Sequence, residues 1–282
     1  MSVILITGCS SGFGLETALA FAANGDTVVA TMRNLDRSTV LEKRAGAAGA
    51  EIETLALDVS SDDSVAVAVN DVMTRHGRID VLVNNAGVGH MGAVETMNLA
   101  LAREVLEANF WGTVRMIQAV LPKMREDGSG VIINVSSIAG RIPPFPFSSW
   151  YAVSKHAVGL LCESLFMELM GSGVRVVSIE PGFYKTSINA NASPLGANSV
   201  YGAEEAWVAS FYEHGVREGG DPTDVAAAIV KASMDPTTHL HVTVPAELEE
   251  MVNPGGTGSF EAIASFEIAM LEGTAGPRPT RS

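Results

Sequence analysis

Cysteine is nearly absent. Cys9 and Cys162 are the only two in 282 residues and lie far apart, so neither a disulfide framework nor a zinc site is expected. The six histidines show no ligand spacing, and the chemistry is expected to be metal-free. Basic residues are also scarce, with 18 Lys and Arg against 32 Asp and Glu, a formal charge of −14. A nucleic acid or an anionic membrane surface needs a basic face, which this balance does not supply. Long apolar runs are missing too, although 47% of the chain is hydrophobic and mean hydropathy is +0.23. Nothing approaches the ~18 consecutive apolar residues that cross a bilayer. Met1-Ser2-Val3-Ile4-Leu5-Ile6-Thr7-Gly8 enters a strand-like run with no basic n-region or cleavage site, so a cytoplasmic location is expected. A nucleotide remains compatible with the acidic charge, because backbone N–H groups and one or two arginines can hold a phosphate locally.

What is present alternates. Strand-like runs at Val3–Thr7, Thr27–Thr31, Ile52–Leu57, Val81–Asn84, Gly130–Val135 and Val174–Glu180 are separated by helical patterns at Phe13–Asn24, Ser38–Ala48, Ser61–His76, Leu101–Glu126 and Trp150–Met170. Such alternation predicts an α/β fold, a doubly wound parallel sheet with helices on both faces. Val3-Ile4-Leu5-Ile6 and Val131-Ile132-Ile133 are continuously apolar, as strands covered on both sides are. No repeat or linker precedes residue 186 or so, which predicts one domain over 1–282.

The first strand runs into Thr7-Gly8-Cys9-Ser10-Ser11-Gly12-Phe13-Gly14 and then an alanine-rich helix. Glycines at such a turn let the backbone approach a pyrophosphate, and the helix N-terminus offers free N–H groups. The second strand leads to Met32-Arg33-Asn34, without the acid that NAD-preferring Rossmann folds place there for the ribose 2′-hydroxyl. Arg33 is therefore a candidate clamp for a 2′-phosphate, with Arg37 a weaker second. Asp58 ends the third strand, where capping of the next helix is the simpler reading. Asn84-Asn85-Ala86-Gly87 ends the fourth, at the sheet edge where ligands bind, and these amides suit either loop bracing or ligand contact.

Tyr151 and Lys155 stand four apart in Ser149-Trp150-Tyr151-Ala152-Val153-Ser154-Lys155, one turn of helix, with Cβ atoms roughly 5–6 Å apart. A phenolate and an ammonium ~6 Å apart at an effective dielectric near 20 attract by about 2.8 kcal/mol. That is about two pKa units in favour of the phenolate. The pair is expected to bring Tyr151 within reach of general acid/base work.

Thr7-Gly8-x-x-x-Gly12-x-Gly14, Asn84-Asn85-Ala86-Gly87, Asn109, Asn134-Val135-Ser136-Ser137, Tyr151-x-x-x-Lys155 and Pro181-Gly182-x-x-x-Thr186 together resemble the short-chain dehydrogenase/reductase family, in order and at nearly its spacings. The likeness spans about residues 3–186 and a further helix and strand near Asp221–Val244. It implies a single Rossmann domain in which Tyr151 is the acid/base, Ser137 polarises the substrate oxygen, and Lys155 binds the nicotinamide ribose and lowers the tyrosine pKa. Asn109 would hold a water in a proton relay. Gly8, Ser10, Ser11, Gly12, Phe13 and Gly14 would receive the pyrophosphate, and Asp58 and Val59 the adenine. Asn85, Ala86 and Gly87 would face the adenosine-side ribose, and Pro181, Gly182 and Thr186 the nicotinamide end. Arg33 matches the arginine of NADP(H)-preferring members, so NADP(H) is preferred and NAD(H) possible. Ser137 and Tyr151 lie one residue further apart than the family usually shows. The proline-rich Pro143-Pro144-Phe145-Pro146-Phe147 can absorb it, leaving Ser136, Ser148 and Ser149 as alternatives.

Substrate specificity is expected from Ile142–Phe147 and from a lid over 187–220, with Phe145, Phe147, Phe183, Tyr184 and Trp207 making an apolar pocket for a lipophilic ketone or secondary alcohol. Trp150–Met170 has apolar residues on more than one face, and the likeness implies a homo-dimer or homo-tetramer built on it. Residues 247–282 carry no readable motif and are expected to end in a mobile tail. The leading function is an NADP(H)-dependent alcohol dehydrogenase or carbonyl reductase. The competing one is a catalytically idle NADP-sensing module, whose sign would be loss of Ser, Tyr or Lys from the constellation.

Overall fold

The computed structural model describes residues 1–186, 188, 200–252 and 260–278, with backbone alone for 260–267. Seven strands form one parallel sheet in the order β3-β2-β1-β4-β5-β6-β7. They are β1 Val3–Ile6, β2 Thr27–Met32, β3 Glu53–Ala56, β4 Val81–Asn84, β5 Gly130–Val135, β6 Val174–Pro181 and β7 His241–Val244. Helices α1 Gly12–Ala23, α2 Thr39–Ala47, α3 Asp62–His76, α4 Leu99–Leu106, α5 Gly112–Asp127 and α6 Ser149–Glu168 connect the first six strands. After β6 come α7 Gly202–Glu218 and α8 Pro222–Met234, and after β7 come α9 Glu249–Val252 and α10 Phe260–Ala275.

The strand composition explains the layers. Val3 and Leu5 face one core, with Val65, Val69 and Val72 of α3, Met116 and Val120 of α5, and Val158 and Leu165 of α6. Ile4 and Ile6 face the other, with Leu15 and Phe21 of α1 and Val225 and Ile229 of α8. Both faces of β1 are buried, so its apolar run does not alternate. Each fully buried Ile or Leu contributes about 1.5–3 kcal/mol relative to exposure.

Local chemistry sets the helix ends. Ser61 caps α3 by accepting from Ser64 N at 3.2 Å, and Gly77 ends it in the left-handed region at φ 73°. The expected continuous helix over Leu101–Glu126 is instead broken. It starts earlier, capped by Asn98, and passes through a π turn at Glu107–Trp111 before α5 begins. Gly112 follows that turn where a Cβ would lie 2.7 Å from Val59 Cγ2, so the break lets α5 close onto the loop after β3.

Within 247–282, where the sequence offered no readable motif, Glu249–Val252 and Phe260–Ala275 are helical, and residues 279–282 of the expected mobile tail lie outside the described residues. Leu271 of α10 is fully buried in the α7 cluster, Trp207 Nε1 donates to Gly276 O at 2.7 Å, and Arg278 pairs with Glu204 at 2.8 Å. Most of the expected lid before α7 lies outside the described residues, as do 253–259 and 279–282. Among the described residues no helix is long and apolar enough to cross a membrane.

Candidate active site

In a parallel sheet every strand ends at the same edge, so the loops after β1 to β6 gather there. Ser10, Ser11 and the three glycines follow β1, Arg33 follows β2, Asp58 and Val59 follow β3, and Asn85 to Gly87 follow β4. Ser137 follows β5, while Pro181 ends β6 and Gly182 and Thr186 come after it.

The glycine loop is pinned by short contacts. Gly8 has φ 76°, and a Cβ on it would lie 2.8 Å from Ala86 Cα. A Cβ on Gly14 would meet Gly8 O and Asn85 Nδ2 at 2.4 Å. Thr7 Oγ1 accepts from the amides of Asn85 and Ala86, each at 3.0 Å, a staple between the loops after β1 and β4 that the sequence did not reveal. Gly12 has φ 58°, and its Cβ position looks onto Thr186 at 3.6 Å, which brings the first and sixth loops together. The Ser11 side chain makes no capping bond to α1 and no acid stands in its first turn, so its leading N–H groups face the loop. That donor set fits a pyrophosphate.

Two expected ligand contacts are occupied by protein. Asn85 Nδ2 donates to Thr7 O at 2.9 Å and Gly8 O at 3.1 Å, so this amide braces loops rather than reaching for a ribose. Asn109, fully buried in the π turn, donates to Val88 O and Ser154 Oγ and accepts from Val88 N. Both of its amide protons are spent on protein, and its side chain has none left to give a relay water. Asp58 bonds Ser60 N in a local turn, while Ser61 caps α3, which leaves Asp58 half-buried at the edge beside Val59. Arg33 is exposed and makes no ion pair among the described residues.

Ser137, Tyr151 and Lys155 converge. The Ser137 side chain caps a single 3₁₀ turn at Ile138–Gly140, accepting from Ala139 N at 3.2 Å and donating to Pro181 O at 3.4 Å, and it lies in the same cleft wall as Tyr151. Two of the three alternatives are engaged elsewhere, Ser136 Oγ donating to Lys155 O and Ser148 Oγ to Phe145 O, while Ser149 is the first residue of α6 and does not line the cleft. Lys155 Nζ donates to Val135 O at 2.8 Å and lies 5.7 Å from the Tyr151 ring centre. Here the electrostatic expectation is corrected. Burial pushes the Tyr151 phenol up, against a smaller lowering by Ser137, and pushes Lys155 down to about 8. Desolvation outweighs the attraction because the ammonium bonds a carbonyl under the ring and not the phenol oxygen.

An apolar cleft opens over these groups. Ser137 and Tyr151 are in its wall beside Phe145, Phe183, Tyr184 and Met91. Phe147 and Trp207 are not lining residues. Phe147 turns away at φ 66° onto Tyr201, and Trp207 packs behind the wall against α10. Phe13, expected in the cofactor loop, reaches the cleft and stacks edge-on to Tyr184.

A parallel Rossmann sheet with a glycine loop at its carboxyl edge and a serine-tyrosine-lysine cluster under an apolar cleft defines a nucleotide-binding oxidoreductase. Residues 2–195 match the family model of short chain dehydrogenases, and the chain belongs to that family. It is 38% identical to retinol dehydrogenase 8 of Bos taurus over 243 residues, covering 81% of this chain and 76% of that protein. It is 35% identical to estradiol 17-beta-dehydrogenase 1 of Rattus norvegicus, covering 96% and 84%. Among solved structures, a metagenomic short-chain oxidoreductase in complex with NADP superposes with a TM-score of 0.69 at 30% identity, covering 86% of this chain and 96% of that one. A short chain dehydrogenase/reductase from Burkholderia phymatum in complex with NAD gives 0.80 at 25%, covering 89% and 92%. The protein is thus an oxidoreductase of the kind that acts on CH–OH groups with a nicotinamide cofactor.

Proposed function

We propose that the protein is an NADP(H)-dependent oxidoreductase acting between a lipophilic ketone and the corresponding secondary alcohol, with Tyr151 as its acid/base. The observation that carries this reading is that Ser137 and Tyr151 share the wall of an apolar cleft, with the Lys155 ammonium 5.7 Å from the tyrosine ring centre. Bound nicotinamide would supply or take up the hydride. Ser137 orients and polarises the substrate oxygen. Tyr151, held protonated by burial, is in the form that delivers a proton to a nascent alkoxide, which suits the reductive direction. Gly8, Gly12 and Gly14 admit the pyrophosphate, and Pro181, Gly182 and Thr186 border the nicotinamide end.

Arg33 supports NADP(H), since it is an exposed cation without an ion pair among the described residues, just after β2 where the sequence places no acid to meet a 2′-hydroxyl. The names of the two relatives, which speak of retinol and estradiol, support a bulky apolar alcohol or ketone. Val153, Leu160 and Met167 are exposed on α6 and support a homo-dimer or homo-tetramer. A panel of ketones and alcohols, scored by absorbance at the reduced-nicotinamide band with each cofactor, tests the reading. Turnover of apolar ketones, faster with NADPH than NADH, is expected. NADPH binding without turnover of any substrate would favour the idle sensing module.

A further inference from the structure

Glu180, next to the last residue of β6, is a carboxylate with no solvent exposure. Its Oε2 accepts from Arg141 Nη1 at 2.8 Å, and its Oε1 accepts from Ser178 Oγ at 3.1 Å and lies 2.6 Å from His241 Nδ1. The other ring nitrogen of His241 lies 3.2 Å from Glu163 on α6. None of these five side chains lines the cleft.

The network reaches the cleft through Arg141. Arg141 N donates to Ile138 O at 2.8 Å and Gly140 N to Ser137 O at 3.0 Å, so Arg141 closes the single turn that Ser137 opens. That turn is pressed against α6, where a Cβ on Gly140 would lie 2.7 Å from the Lys155 carbonyl carbon. Glu180 immediately precedes Pro181, whose carbonyl accepts from Ser137 Oγ at 3.4 Å. Both ends of the turn are thereby tied to consecutive residues of β6. A buried ion pair adds little net stability over packed apolar side chains of the same volume, whereas its directional bonds hold a geometry.

We infer that Glu180, acting through Arg141, is a positioning residue that holds the Ser137 hydroxyl at its place in the cleft wall that Tyr151 shares. The inference rests on the proposed reductase reading, so its test is a double-mutant cycle run with NADPH and an apolar ketone. Glu180→Gln is expected to lower kcat about ten- to a hundredfold, the scale of a catalytic group held slightly out of place. KM for the ketone and Kd for NADPH should stay within about twofold, because the binding surfaces are untouched. In a Ser137→Ala background, followed by single turnover with excess enzyme, Glu180→Gln should have no further effect. Arg141→Lys, at a side chain one-fifth exposed, keeps the charge without the planar fork and should repeat the pattern. It carries the same cycle if Glu180→Gln does not fold. An unchanged kcat, or an equal loss in both backgrounds, overturns the positioning role while leaving the reductase reading intact. A wild-type enzyme that binds NADPH and turns over no ketone overturns both.

Discussion

Lys155→Met gives a quantitative check on the buried pair. Lys155 is 5% exposed, and burial alone lowers its pKa from 10.5 to about 8, with no neighbouring charge to offset it. Below the folded value both states carry the proton and the folded state bears the full cost of a buried cation. Between about 8 and 10.5 the unfolded lysine still binds a proton that the folded one has lost, so stability rises with pH through that window. The shift, 10.5 − 8 = 2.5 units at ~1.36 kcal/mol each, is roughly 3 kcal/mol in total. Cys9 and Cys162, both pushed up to about 12 by burial, act oppositely above pH 9, where the unfolded thiols ionise first. They are common to both proteins and cancel in the difference. Urea denaturation of wild type and Lys155→Met without cofactor, at about pH 7 and about pH 9.5, should show the wild type gaining about 2 kcal/mol relative to the variant. A difference independent of pH would refute the desolvation argument and restore the charged ammonium beside the phenol that the sequence spacing suggested.

Arg33→Ala should weaken NADPH binding by about 1.5–3 kcal/mol, the size of a charge-assisted hydrogen bond, and leave NADH nearly unchanged by calorimetry. Equal losses for both cofactors would remove Arg33 from phosphate recognition. Gly14→Ala places a methyl 2.4 Å from Gly8 O, a backbone atom that cannot swing aside. It should lower the urea midpoint by the equivalent of about 1–3 kcal/mol and weaken NADPH, since the loops after β1 and β4 must part. A stable variant with unchanged affinity would show that their close approach is dispensable.

The sheet was readable because both its faces are covered. Val81–Asn84 and Gly130–Val135 match their expected bounds, and the other strands shift by a residue or so at their ends. The π turn at Asn109 was not readable, since it depends on Gly112 meeting Val59, a contact made in space by a loop about fifty residues earlier. The Ser137, Tyr151 and Lys155 positions were legible as a spaced set, and the structure brings them together. Their protonation preferences were not, because spacing reports charge separation while burial decides which charges survive. Asn85 could not be assigned between ligand and loop until Thr7 and Gly8 supplied its partners. The Glu180–Arg141 tie was missed for the same reason, its members being 39 residues apart with no motif between them.

The central claim is that the Tyr151 hydroxyl moves the proton. Single-turnover oxidation of prebound NADPH by an apolar ketone, compared between wild type and Tyr151→Phe, addresses it directly. The account predicts a rate loss of about a hundredfold or more, the scale of a general acid, with NADPH affinity unchanged. A phenylalanine variant that turns over at a rate close to wild type would contradict it.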